Sequence, residues 1–503
     1  MNIATKDIIN EFDIVFEKRK NDILQSKDNL NIKGTTYYVS ADGNDDNDGL
    51  SSKTPWKTLK KVSEHEFAPG DGVLFNRGDV FRGCIKAKQG VTYGAYGEGE
   101  KPKLYAGDTD LADQSLWTLY DKLNNIWKCN IKQLDPGTLV FNQGEKHSYK
   151  LIPSYLGGKF VCRDDENKLF DIKSELKNNL DLYWHFEDKL TTSHKHPVTG
   201  ADFPVPDVDN TYGDIYLRCD GGNPGEVFDS IENVARSHMF FVGENNDVTI
   251  DNLCIKYVGM HGVSAGMFVK NLTVTNCEFG WIGGTIQHYY GLDPNYPQGG
   301  RGTVTRFGNA IEVYGGCKNY TASGNYIYEV YDAGITHQVT TNTKITMENI
   351  RYTDNLIENC VYGIEYFLDQ IDGEDQSFMD DVVMDNNFIR NSGFGWGQQR
   401  HNKHTPSAIK GWSYVNTARN YIIKNNIFDR CAYRLLHLVA LEQGSMPQMD
   451  FNTYIQYDGG KIGQFGSNKQ KEPDNIIFDK NVKDIITNVF GDKNPKVYII
   501  DNA

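Results

Sequence analysis

The sequence predicts an all-β chain wound as a parallel β-helix, and two periodic features predict it. First, an asparagine followed by an apolar or aromatic residue recurs at Asn252-Leu253, Asn276-Cys277, Asn325-Tyr326, Asn355-Leu356, Asn387-Phe388 and Asn426-Ile427. The intervals are 24, 49, 30, 32 and 39 residues, one coil per step, with the 49-residue step holding two coils or one coil and a long loop. Asparagine suits the corner of a coil because it tolerates a left-handed backbone, and its amide can bond to the corners above and below.

The second feature is a small residue, an aliphatic and a polar residue in succession: Gly262-Val263-Ser264, Ala310-Ile311-Glu312, Gly334-Ile335-Thr336, Gly363-Ile364-Glu365, Ala408-Ile409-Lys410 and, more loosely, Leu435-Leu436-His437. With the aliphatic pointing inward, its neighbour points outward. Residues 264, 312, 336, 365, 410 and 437 then form one outward ladder with coils ~4.8 Å apart. Two carboxylates, an amine and an imidazole in one row read as a site rather than as a solvated face.

In chain order, residues 1–30 form an amphipathic helix with Ile8, Phe12, Val15, Phe16, Ile23 and Leu24 at helical spacing, expected to cap an open end of the solenoid. Residues 31–103 read as the first coils, and residues 104–221, where the repeat is lost, as a β-rich insertion. Strands are expected in it at Thr138 to Phe141, Leu182 to Phe186 and Asp214 to Leu217. The main coils follow over 222–445, and 446–503 closes the far end with strands near Thr453 and Tyr498 and a helix near 481–490.

The strings YYVSADGNDDNDGLSSKTPWKTLKKV, PGDGVLFNRGDVFRG and GVTYGAYGEG, with GNPGEVFDSIE at 222–232, resemble the opening and coil entry of right-handed parallel β-helix carbohydrate-active proteins of the pectate-lyase-like superfamily. The resemblance covers nearly the whole chain. It implies a right-handed coil but leaves the reaction open, since that superfamily holds glycosidases, lyases, esterases and non-catalytic tail proteins.

A chain of 503 residues can bury a large core. Its net charge of −15 disfavours nucleic acid and membrane surfaces as partners. Its 29 Tyr, 25 Phe and 7 Trp supply flat faces suited to sugars, so an oligosaccharide or polysaccharide is the expected partner. Nine cysteines, odd in number and without a CxxC, indicate neither a zinc site nor a disulfide frame. The first thirty residues carry charges throughout, so neither a signal peptide nor a membrane span is expected and the cytoplasm is the expected compartment.

Glu312 and Glu365 lie two coils apart on the ladder, with Asp332 between them as a third carboxylate. Paired carboxylates at such spacing are the chemistry of glycoside hydrolysis, and a glycosidase acting from a chain end is the reading adopted. Expected substrate-binding residues are His337, Trp396, Arg400, His404, Lys410, Trp412 and His437, joined by His288 and Arg306 from the loop that interrupts the repeat before Glu312. The same basic groups leave open a lyase with Lys410 or His437 as base, and a non-catalytic carbohydrate-binding solenoid remains the third reading. No cofactor is expected; the run Asp369 to Asp375 has the oxygen density for calcium, although it matches no EF-hand spacing.

Overall fold

A computed structural model describes the chain except residues 1, 5, 29, 157–158, 164–168, 171–175, 186–191, 196–201, 206, 289–304, 371–376, 401–404, 413–416, 441–442, 468–475 and 502–503. Three long sheets, of eleven, ten and ten strands, run side by side, and the chain visits them in rotation. Apart from one antiparallel edge strand, Ile476–Ile477, their strands pair in parallel with neighbours a coil away. This is a parallel β-helix, as the two periodicities predict.

The sheet that carries the outward ladder includes Phe240–Gly243, Val263–Ala265, Ile311–Tyr314, Ala333–Thr341, Tyr362–Gln370, Ser407–Trp412, Arg434–Ala440 and Lys461–Ser467. Val263, Ile311, Ile335, Ile364, Ile409 and Leu436 stack in register and are fully buried. Each such side chain contributes roughly 1.5–3 kcal/mol of burial, and a slip by one residue would turn the whole row to solvent.

The asparagine corner is built from two adjacent positions rather than one. Asn252, Asn276, Gly324, Asp354, Asn386, Asn425 and Phe451 hold the left-handed backbone, with φ between 53° and 64°. The residue after each forms an inner column: Leu253, Cys277, Asn325, Asn355, Asn387, Asn426 and Asn452. In it, each amide from Asn325 to Asn426 receives bonds on Oδ1 from the coil before and donates both its backbone N–H and its Nδ2 to the coil after. Asp492 ends the run by accepting from Asn452 at 3.2 and 2.9 Å. Asn252 and Asn276 therefore belong to the corner column and the other four predicted asparagines to the inner one. A tight turn and a buried polar spine make different demands, and neighbouring residues meet them.

The N-terminal helix, Lys6–Leu24, does not cap an end. It lies along the outer face of the eleven-stranded sheet, with Phe16 against Tyr326 and Phe388 and Phe12 against Phe388 and Tyr498. Asn2–Ala4 adds an edge strand to Lys496–Ile500. An amphipathic stripe specifies an apolar partner but not which one, and here the sheet face supplies it. The short helix Leu59–Glu64 packs against Ile85–Lys86, the first strand of the ladder sheet, and Phe490, just after Val482–Asn488, packs on Phe465 of its last long strand.

The insertion forms its own seven-stranded sheet around Trp117, Leu182, Trp184 and Leu217. Leu139–Phe141 pairs with Ile231–Asn233 just before the coils resume. A buried ionic junction fixes it to the coils: Asp135 bonds Lys150 and accepts from the Ile286 backbone at 2.6 Å, while Lys150 N–H donates to Gln399 at 3.2 Å. No described helix is long and apolar enough to cross a membrane.

Asn387→Ala removes a fully buried rung and strands its partners above and below, so it should lower stability by about 2–3 kcal/mol in urea unfolding. The neighbouring Asn386→Ala, at the exposed left-handed corner (φ 55°), should cost only about 1 kcal/mol.

Candidate active site

The ladder forms with the register expected. Glu312 pairs with Ser264 and Thr336, Thr336 with Glu365, Glu365 with Lys410, and Lys410 with His437. It continues to Gln464 at one end and, past Ser264, through Phe241 to Lys86 at the other. Glu312 and Glu365 are two strand spacings apart, so ~9.6 Å between backbones. The Thr336 hydroxyl lies buried between them with no hydrogen-bond partner among the described residues.

The two glutamates sit in opposite electrostatic settings. Glu312 is 7% exposed and among the described residues meets neutral donors: Asn309 Nδ2 bonds Oε2, Gln338 Nε2 approaches the same oxygen at 3.3 Å, and His261 Nε2 stands 3.3 Å from Oε1. His261 Nδ1 accepts the backbone N–H of Asn309 at 3.0 Å, which places the ring proton on Nε2, facing the carboxyl. Burial drives the His261 pKa down to about 3, so the ring stays neutral. Burial likewise pushes the Glu312 carboxyl up to about 7, only partly opposed by Asn309, with the Glu365 charge adding to the rise.

Glu365 is instead ion-paired. Lys410 Nζ lies 2.8 Å from its Oε1, and Trp412 Nε1 donates to the same oxygen at 3.0 Å. Burial works to lower the Lys410 pKa, but the Glu365 charge overrides it and holds the amine above its ordinary value. Lys410 also sits over the Tyr362 ring at 4.0 Å. Asp332, one coil after Glu312, bonds Arg400; burial raises its carboxyl, with the guanidinium opposing and Glu365 reinforcing. Arg400 is delivered by the turn Trp396–Gln399, which Gln399 ties to the insertion through Ser148 O at 3.0 Å.

Glu312, Asp332, Glu365, Arg400 and Lys410 thus converge. Trp412 stands at the rim with Phe367 against it, ring centroids 4.3 Å apart, and His437 follows Lys410 on the ladder. Three expected binding residues are elsewhere. His337, next to outward Thr336, points inward as strand alternation requires; it is fully buried, bonded to Tyr352 OH at 2.8 Å and stacked on Tyr366. Trp396 is 1% exposed and packs with Trp281 and Tyr331, its Nε1 donating to Glu329 O, so it offers no ring to a sugar. Arg306 is buried as a clamp, donating to Gly284 O at 2.6 Å and Gly137 O at 2.8 Å. The His288 side chain, His404 and most of the Asp369 to Asp375 run lie outside the described residues.

Sequence reasoning missed His261, Asn309 and Gln338. Their signal was present: His261 and Asn309 stand three residues before Ser264 and Glu312, a column that continues as Ala333, Tyr362, Ser407 and Arg434. Gln338 stands two residues after Thr336, on the next outward row.

The Glu312 proton affinity has a consequence for stability. Its carboxyl titrates near 4.5 when unfolded and at about 7 when folded, so the folded state loses stability as pH rises from 4.5 through 7 and the loss then levels off. Glu312→Gln removes that loss. Unfolding midpoints should show the variant gaining on the parent chain between pH 5 and pH 8, by on the order of 3 kcal/mol; a pH-independent difference would contradict the assignment.

No family model matches the chain. A stretch of 341 residues is 42% identical to lacto-N-biosidase of Bifidobacterium longum subsp. longum, covering 58% of this chain and 21% of that enzyme; the chain thus spans about a fifth of the length of that curated relative. Among solved structures, a GH136 lacto-N-biosidase from Eubacterium ramulus is 11% identical with a TM-score of 0.35, over 99% of this chain and 72% of that one. The complex of XylC with xylose is 12% identical with a TM-score of 0.36, over 92% and 82%. The fold stands on the strand register described above, independently of these scores.

Proposed function

We propose that the chain is a glycosidase that hydrolyses a glycosidic bond in an oligosaccharide, acting from a chain end. The observation that carries this is one row holding a carboxyl with raised proton affinity among neutral donors, Glu312, and a carboxylate paired with a cation, Glu365, with Asp332 and its Arg400 beside them. Glycoside hydrolysis needs that asymmetry: one group to protonate the departing oxygen and one to stabilise or attack the anomeric carbon, directly or through water. The 42% identical stretch of a lacto-N-biosidase supports the same reading.

In the proposed mechanism Glu312 gives its proton to the leaving oxygen. His261, Asn309 and Gln338, all neutral donors, hold the carboxyl in place and receive the carboxylate that remains. Either Glu365, two coils away, or Asp332, one coil away, serves the opposite face. Carboxyls ~5–5.5 Å apart give retention and ~6.5–9.5 Å give inversion; Glu365 shares the row of Glu312, whereas Asp332 stands four residues before that row on the next coil, so the configuration of the product depends on which of the two acts. Elimination with Lys410 as base is disfavoured, because an amine bonded to Glu365 keeps its proton.

Glu312→Gln, and either Asp332→Asn or Glu365→Gln, should lower kcat by about 10²–10⁴ on an oligosaccharide the parent cleaves, with binding retained. Hydrolysis left intact by all three substitutions would refute the site. Because Glu312 must be protonated to act, kcat/KM should fall as pH rises above about 7, and that limb should vanish in Glu312→Gln on substrates whose leaving group needs no proton.

A further inference from the structure

Phe241 is out of place for a solvated strand: its ring is 52% exposed and occupies the outward ladder two coils before Glu312, in register through Ser264. Beside it stands His238, whose ring stacks on His261 with centroids 5.1 Å apart and lies 6.0 Å from the Phe241 ring. His238 Nδ1 accepts the backbone N–H of His261 at 3.2 Å. That bond leaves the proton on Nε2, a neutral donor. The His238 and His261 rings thus form a continuous stack from the exposed Phe241 ring to the Glu312 carboxyl.

Resting on the glycosidase reading, we propose that Phe241, His238 and Ser264 form a sugar-binding subsite two units from the cleaved bond, which takes a pyranose ring of the oligosaccharide. A glycan laid along the ladder advances about one coil, ~4.8 Å, per sugar unit, so a chain with its scissile oxygen at Glu312 places one unit over Ser264 and the next against Phe241. An aromatic face binds the C–H face of a pyranose, and the His238 and Ser264 side chains supply hydrogen bonds for hydroxyls at its edge. The groups offered are a hydrocarbon ring and two uncharged polar side chains, with Lys86 the next residue of the row beyond Phe241. The subsite makes the protein selective for chain length, since only a substrate extending at least two units past the cleaved bond reaches Phe241.

The test uses the full chain and a panel of neutral oligosaccharides of two to six units, binding being measured on Glu312→Gln and cleavage on the parent. Affinity should rise with each unit until Phe241 is covered and then level. Phe241→Ala should remove the last increment, about tenfold, and reduce the ratio of kcat/KM for long over short substrates by a similar factor. Phe241→Trp should keep both, and melting curves of the variants report whether the fold is intact. If long substrates bind and are cleaved but Phe241→Ala changes neither ratio, the subsite is wrong and the glycosidase reading stands. If no oligosaccharide of the panel is bound or cleaved, the glycosidase reading falls and takes the subsite with it.

Discussion

The register of the coils is the constraint on which everything else depends. In a parallel β-helix no local turn fixes how one coil lies on the next, because the strands that pair are a whole coil apart in sequence. Here the buried asparagine column supplies that fix: each amide from Asn325 to Asn426 receives from the coil before and donates twice to the coil after. An unpaired buried amide is costly, so the coils stack where the amides meet. Glu312 and Glu365 face one another across Thr336 only because that stacking holds.

From that frame the electrostatics follow. All three carboxylates are buried, and burial raises the carboxyls of Glu312 and Asp332. What separates them is their company. Glu312 is surrounded by an imidazole that burial keeps neutral and by two amides. Glu365 has Lys410, and Asp332 has Arg400. One face therefore holds an acid and ion-paired carboxylates without a metal being invoked. The insertion takes part at a distance, through Ser148 and Gln399, by fixing the turn that delivers Arg400.

Much of this was legible in the sequence because a solenoid repeats its geometry. The six-residue outward ladder follows from the small–aliphatic–polar triplet aligned on the asparagine repeat, and each step of it is realised. The errors share one cause: sequence spacing reports which residues fall in the same column but not the direction or depth of side chains off the repeat. His337 follows an outward threonine and so had to point inward, a consequence of the alternation already in use. Trp396 lies on a turn and Arg306 on a short antiparallel strand outside the coil repeat, where tertiary packing decides, and there they became core and clamp. The N-terminal helix found the flank of a sheet rather than an end, since its stripe matches either. His261 was missed because a lone histidine carries no period; only the column three residues before the ladder makes it visible.

The most direct test of the central claim is the ionisation of Glu312 itself, followed by isotope-edited infrared difference spectra of the parent chain against Glu312→Gln across pH. The carboxyl band belonging to Glu312 should convert to carboxylate with a midpoint at about 7. A midpoint near the ordinary glutamate value of 4.5 would mean that the Glu312 pocket leaves it ionised at neutral pH, and the division of roles between Glu312 and its two partners would be wrong.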